Sequence, residues 1–222
     1  FFKQKTAYEI PKRDWSSDVC SSDLAHRYFK VYKPIDMVSQ FLSPHNVKLL
    51  THLQFPFPSG THAIGRLDKN SEGLLLLTTN KKITKLLFQS PEKHYRTYLV
   101  QVKNKVSPTT LIHLAKGIQI SSTQGTLFTT SPCLVKEVEA PHHFIANSKP
   151  LHKNVENSWL EITLTEGKFH QVRKMVAAVN HSCLRLIRIS IEDININSMQ
   201  PGEVVELNEN EFFTLLKLNM RN

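Results

Sequence analysis

Residues 65–78 read GRLDKNSEGLLLLT. The polar stretch from Asp68 to Glu72 meets Gly73, and then four leucines run without interruption to Thr78. So short an apolar run, with no alternation and a glycine at its head, predicts a buried strand. The loop before it carries one carboxylate, Asp68, which places a single acid at the rim of a core. Taken alone, an aspartate after Arg-Leu could as well cap a turn.

The rest of the chain is read outward from that strand. Residues 28–32 (YFKVY) form a strand candidate that ends at Lys33-Pro34. Residues 39–60 are loop-rich, with Pro44, Pro56, Pro58 and Gly60. Asn80 can cap a helix in which Ile83, Leu86 and Leu87 share a face. Residues 95–102 (YRTYLVQV) read as a strand with Tyr98, Val100 and Val102 on one side. Ser107-Pro108 opens a helix that stops at Gly117. Residues 118–139 suggest short strands and turns, and residues 140–157 suggest an exposed loop. Leu160, Ile162 and Leu164 alternate in a further strand, and Gly167 turns the chain into a helix with Val172, Met175, Val176 and Val179 at helical spacing. Residues 184–191 read as a strand. Pro201-Gly202 marks a turn before a strand over 204–207, and residues 212–218 close as a helix. The sum is a strand-dominated α+β fold with a few helices packed on it.

Composition narrows the partners. The chain of 222 residues has 28 Lys and Arg against 19 Asp and Glu, a net charge of +9, which points to an anionic partner. No apolar run approaches the ~18 residues of a membrane span, and none reads as a signal peptide. Cys133 and Cys183 are isolated, which suits free thiols in a reducing compartment and offers no metal-ligand spacing. His142, His143 and His152 fall in the expected loop and read as surface residues. Between Glu166 and Glu192 lie Lys168, Arg173, Lys174, Arg185 and Arg188 with His170 and His181 and no acid, a surface suited to phosphates or simply a solvated helix face. Residues 1–24 stand apart. KQKTAYEI and DWSSDVCSSDL resemble the conceptual translation of a short-read sequencing adapter, so this segment is expected to be non-native and residues 25–222 to form one catalytic domain.

Several motifs in order then carry a resemblance. GRLDKNSEGLLLLT is followed by Arg96-Thr97-Tyr98-Leu99-Val100, by EGKFHQVRKM over residues 166–175, by HSCLRLIR over 181–188, and by Pro201-Gly202-Glu203. Together they resemble the pseudouridine synthases that modify ribosomal RNA, in the branch that comprises the A type of the small ribosomal subunit with the B, E and F types of the large one. By wording they are most similar to the E type, which lacks a separate N-terminal RNA-binding domain. The resemblance implies a mixed, mainly antiparallel central sheet in two subdomains, helices packed on it and an active cleft between. It implies isomerisation of a stem-loop uridine in 23S ribosomal RNA by a cytoplasmic monomer. No metal, nucleotide or other cofactor is implied.

The chemistry accounts for the residue types. A uridine hidden in stacked RNA must be flipped out before its base is detached, rotated and rejoined through carbon 5. By resemblance Asp68 is the catalytic aspartate, acting either as nucleophile or as base. Tyr98 stacks on the base, and Arg173 keeps Asp68 ionised and aligned. The RNA-binding set implied is Arg66, Lys168, His170, Gln171, Lys174, Arg185 and Arg188. Lys168 and His170 stand where many members carry arginine and asparagine or tyrosine. Rival readings are a 16S ribosomal RNA synthase and a non-catalytic RNA-binding protein on the same fold. A hydrolase would need a second acid near Asp68, and Glu72 is the nearby candidate.

Overall fold

A computed structural model describes residues 25–88, 92–122, 124–139, 142–145 and 155–218. The segment 1–24, expected to be non-native, lies outside them, as does most of the expected loop 140–157. The strands are β1 (Tyr28–Lys33), β2 (His62–Ala63), β3 (Glu72–Thr78), β4 (Arg96–Lys103), β5 (Gln119–Ser121), β6 (Leu127–Thr129), β7 (Leu134–Val138), β8 (Asn157–Leu164), β9 (Cys183–Ile191), β10 (Ile194–Asn195) and β11 (Val204–Leu207). The helices are α1 (Ile83–Phe88), α2 (Pro108–Lys116), α3 (His142–Ile145), α4 (Gln171–Ala178) and α5 (Glu209–Leu215).

Nine strands make one mixed sheet in the order β11-β1-β3-β9-β4-β8-β7, with β2 beside β3 and β10 beside β9. β5 and β6 pair apart from it. Every pairing is antiparallel except β3 with β9, where Glu72 faces Ile187 and Gly73 faces Arg188. This short parallel contact joins the two halves of the sheet. Gly73 makes it possible: its φ is 104°, and a Cβ there would lie 2.3 Å from the Arg188 carbonyl oxygen. The expected α+β fold in two halves is the one observed.

Both faces of the sheet are covered, which is why the Leu74–Leu77 run does not alternate. Leu74 and Leu76 pack with Tyr28, Tyr32 and Phe212 of α5, while Leu75 and Leu77 pack with Phe29, Val31 and Leu50. In the other half, Tyr98, Val100 and Val102 face Leu160, Ile162 and Leu164 and are closed over by Val172, Met175 and Val176 of α4. The helix signals work locally. The Ser107 hydroxyl accepts from the Thr110 N–H and Gly117 ends α2 with φ 95°. The last helix starts earlier than expected, because Asn208 caps it through the Glu211 N–H.

Two expectations are corrected in the interior. The stretch read as exposed loop contains α3, whose Phe144 is buried against Tyr32. Arg185, expected at an RNA surface, is only 7% exposed. Its Nε donates to Glu72 Oε1 at 2.6 Å, its Nη2 to Oε2 at 3.0 Å, and its Nη1 to the Phe144 carbonyl. A guanidinium so enclosed persists because each face has an acceptor. Beside it the Tyr32 hydroxyl donates to Glu72, and burial pushes that phenol's pKa up. Lys33 is wholly buried, donates to the Pro34 and Met37 carbonyls, and is pulled down by burial to about 8.

Candidate active site

A cleft of about 510 Å³ opens where the two halves meet, lined by Asp68, Phe88, Arg96, Tyr98, His170 and Arg188 among others. Each half contributes. The loop before β3 brings Asp68, β4 brings Arg96 and Tyr98, and the turn before α4 brings His170.

The Asp68 loop is held by its backbone. The Ser39 hydroxyl both donates to the Leu67 carbonyl at 2.8 Å and accepts from the Leu67 N–H at 3.0 Å. The Asp36 N–H donates to the Lys69 carbonyl, and the Ser71 N–H to that of Asp68. The carboxylate itself is left comparatively free, about one-third exposed, with His170 Nε2 at 3.7 Å from its Oδ1.

Arg173 reaches this loop but not the acid. Its Nη2 donates to the Asn70 carbonyl at 2.6 Å and to the Ser71 hydroxyl at 3.3 Å, and its Nη1 to Cys183 Sγ at 3.6 Å. Among the described residues it makes no ion pair with Asp68, so its grip is on the loop two and three residues further on. Tyr98, 9% exposed, lines the cleft.

The expected RNA-binding residues divide. Arg66 and Lys168 are exposed on the lining of the cleft. Lys174 is half-buried, its Nζ bound to the Ser121 carbonyl. Gln171 departs from expectation: it is 4% exposed, its amide donates to Glu166 and its carbonyl accepts from the Lys168 N–H. Both ends of that side chain brace the turn at the lining of the cleft. Arg188 also lines the cleft, but its Nε is tied to the Leu74 carbonyl and its Nη2 is buried without a partner among the described residues. With Arg185 interior, the basic block is partly a scaffold and partly a surface.

Other residues of the cleft were not anticipated. Arg96 is 7% exposed and lies over the Phe88 ring at 4.8 Å; burial lowers its pKa. Its position at the head of a buried strand was the available signal. His94 is buried with Nδ1 3.4 Å from Glu192, a pairing no local pattern announces. Glu72, the second acid a hydrolase would need, is turned into the core against Arg185. Among the described residues no three His, Cys, Asp or Glu side chains are grouped to hold a metal ion.

A partly exposed carboxylate on a backbone-held loop, a tyrosine in the lining and a cationic rim make a cleft suited to an anionic substrate. Comparison with known proteins agrees. The family model described as RNA pseudouridylate synthase matches residues 27–178. The ribosomal large subunit pseudouridine synthase E of Vibrio parahaemolyticus is 34% identical over 83% of this chain and 76% of its own length. The ribosomal small subunit pseudouridine synthase A of Escherichia coli K12 is 30% identical over 86% and 74%. A solved pseudouridylate synthase, 25% identical, superposes with a TM-score of 0.67 over 86% of this chain and 74% of the other. This chain belongs to the RNA pseudouridylate synthase family and is an RNA pseudouridine synthase, an isomerase.

Proposed function

We propose that the chain converts a uridine of 23S ribosomal RNA to pseudouridine, with Asp68 as the catalytic aspartate. The observation that carries this reading is Asp68 itself: partly exposed in a cleft that also holds Tyr98, on a loop fixed through Ser39 and Arg173. The flipped nucleotide enters that cleft. The Asp68 carboxylate acts on the sugar, by attack on its anomeric carbon or by taking a sugar proton, and the bond from that carbon to N1 breaks. The uracil turns against Tyr98 and rejoins through carbon 5. As that bond forms, the anomeric carbon releases the Asp68 carboxylate, or the sugar regains the proton Asp68 had taken, and carbon 5 then loses its proton while N1 gains one. Arg173 aligns the loop and thereby the carboxylate. Arg66 and Lys168 meet the phosphates.

The 23S target rests on similarity to the large-subunit synthase E of V. parahaemolyticus. Likeness to the small-subunit synthase A of E. coli makes 16S ribosomal RNA the second reading. A cytoplasmic monomer suits either. The test is pseudouridine mapping of ribosomal RNA from cells that lack their own synthase E and express residues 25–222, beside an Asp68→Asn control. One site restored in 23S RNA, absent in the control, is the expected result. A site in 16S RNA moves the target. No site with soluble protein, or full modification by Asp68→Asn, overturns the assignment.

A further inference from the structure

The rim of the cleft carries a feature that the reaction so far leaves unused. Phe169 is 58% exposed, between Lys168 and His170, which both line the cleft. Its ring stacks on the His170 ring, with centroids 3.8 Å apart and planes 15° from parallel. Two consecutive residues stack in this way while the backbone at His170 is left-handed, φ 53°. That conformation is uncommon outside glycine, though histidine adopts it more readily than most residues. Lys174 Nζ lies 5.4 Å from the Phe169 ring centre, held there by the Ser121 carbonyl. The turn beneath is braced by Gln171 between Glu166 and Lys168. A large apolar ring is thus held in water on a braced turn, with the Lys174 ammonium over it, which a stacking base displaces toward its own phosphate, and an acid-bearing cleft next to it.

We infer that the Phe169–His170 stack is a platform for an unpaired RNA base adjoining the target uridine, an inference that rests on the reading of the cleft as a pseudouridine synthase site. Flat aromatic surface takes any nucleobase face, while lysines beside it take the phosphates. Exposed Lys168 and half-buried Lys174 supply that charge within the same turn. The other ring of the stack touches the reaction, since His170 Nε2 is 3.7 Å from Asp68 Oδ1. A base seated on Phe169 therefore fixes its neighbour's sugar relative to the carboxylate. Phe169 acts as a positioning residue, and the platform favours substrates whose target uridine has an unpaired neighbour.

The test uses the full chain and a 23S ribosomal RNA transcript carrying tritium at uridine carbon 5, whose release reports turnover. Stacking of one base is worth ~1–3 kcal/mol, so Phe169→Ala is expected to raise KM by about 5- to 150-fold. Its kcat should fall as well, because the neighbouring sugar is then less well placed against Asp68. Phe169→Trp should restore KM, and Phe169→Leu, apolar but not flat, should not. Wild-type KM in the leucine or alanine variant overturns the platform while leaving the Asp68 assignment intact. A second arm is independent of turnover. Tryptophan emission of Phe169→Trp, with the parent protein as blank, is followed on adding a twelve-nucleotide oligoribonucleotide or inorganic polyphosphate of equal charge. Quenching by the RNA alone supports the stack, and equal response to both overturns it.

Discussion

Arg185 and Glu72 form an ion pair that should hold the fold rather than the RNA, and separating these roles is feasible. The two side chains are 7% and 5% exposed and meet through two short hydrogen bonds, 2.6 and 3.0 Å. Arg185→Met leaves the Glu72 carboxylate buried with the Tyr32 hydroxyl as its remaining hydrogen-bond donor among the described residues. Glu72→Gln leaves the guanidinium buried without its counter-charge. Losing one partner of such a pair costs ~3–5 kcal/mol, a large part of the ~5–15 kcal/mol that holds a domain folded. For a chain of this size that is a fall in Tm of roughly 6–20 °C. The double variant should lose less than the two single losses added, by about 2 kcal/mol or more, because neither charge is then orphaned. Guanidinium unfolding of all four proteins gives the cycle. Binding of a 23S RNA fragment at two salt concentrations, on folded protein, gives the other role. The reasoning is refuted if Arg185→Met unfolds within ~1 kcal/mol of wild type while RNA affinity drops and the salt slope falls by about one.

Two more outcomes follow from the same neighbourhood. Gly73→Ala should destabilise by at least ~2 kcal/mol, since a positive φ costs ~1–3 kcal/mol and the new Cβ meets the Arg188 backbone at 2.3 Å; product formation should fall with it, and a melt unchanged within a degree would show that β3 and β9 separate freely. Lys33 should make stability rise with pH: its folded pKa of about 8 lies below the ordinary 10.5 because burial disfavours the ammonium. The penalty is therefore complete below pH 8 and relieved between 8 and 10.5. Wild type should gain up to about 3 kcal/mol on Lys33→Met across that window, measured as the difference of their unfolding free energies at pH 7.5 and 10.5, and a flat or falling difference would refute it.

What the sequence made legible was local. The Leu74–Leu77 run, the alternation of Tyr98, Val100 and Val102, and the Ser107-Pro108 to Gly117 caps each declare themselves within a dozen residues, and each stands where it was read. The short-range pattern could not give the order β11-β1-β3-β9-β4-β8-β7, which depends on pairings such as Gly73 with Arg188. Nor could it tell an arginine that faces water from one that closes a core. Arg185 and Arg188 look alike in the sequence and like the exposed Arg66, yet both are buried, Arg185 against Glu72 and the Phe144 carbonyl and Arg188 with its Nε on the Leu74 carbonyl, all from distant segments. Gln171 was missed likewise, because its partners, Glu166 and the Lys168 N–H, engage it only once the turn has formed. Phe144 lay in a stretch without period, where a single buried ring leaves no pattern. The family resemblance supplied the cleft; the residues alone placed only its acid at a core's rim.

The arrangement around Asp68 has a physical logic of its own. A catalytic carboxylate must be fixed in space and still have its lone pairs free for the substrate. Direct ion pairing would fix it at the cost of occupying those lone pairs. Here the constraint is moved onto the backbone: Ser39 holds Leu67 on one side, Arg173 holds Asn70 and Ser71 on the other, and Asp36 holds Lys69 between them. The base of the loop is then locked by Glu72 against Arg185 and by Gly73 against Arg188. These last two contacts also join the halves of the sheet that supply the cleft's two sides. The position of the acid and the width of the cleft are thus set by the same few atoms. Substitutions at Glu72 or Gly73, which do not line the cleft, should therefore lower turnover in the surviving folded protein as well as stability, whereas a change at exposed Phe169 should leave stability alone.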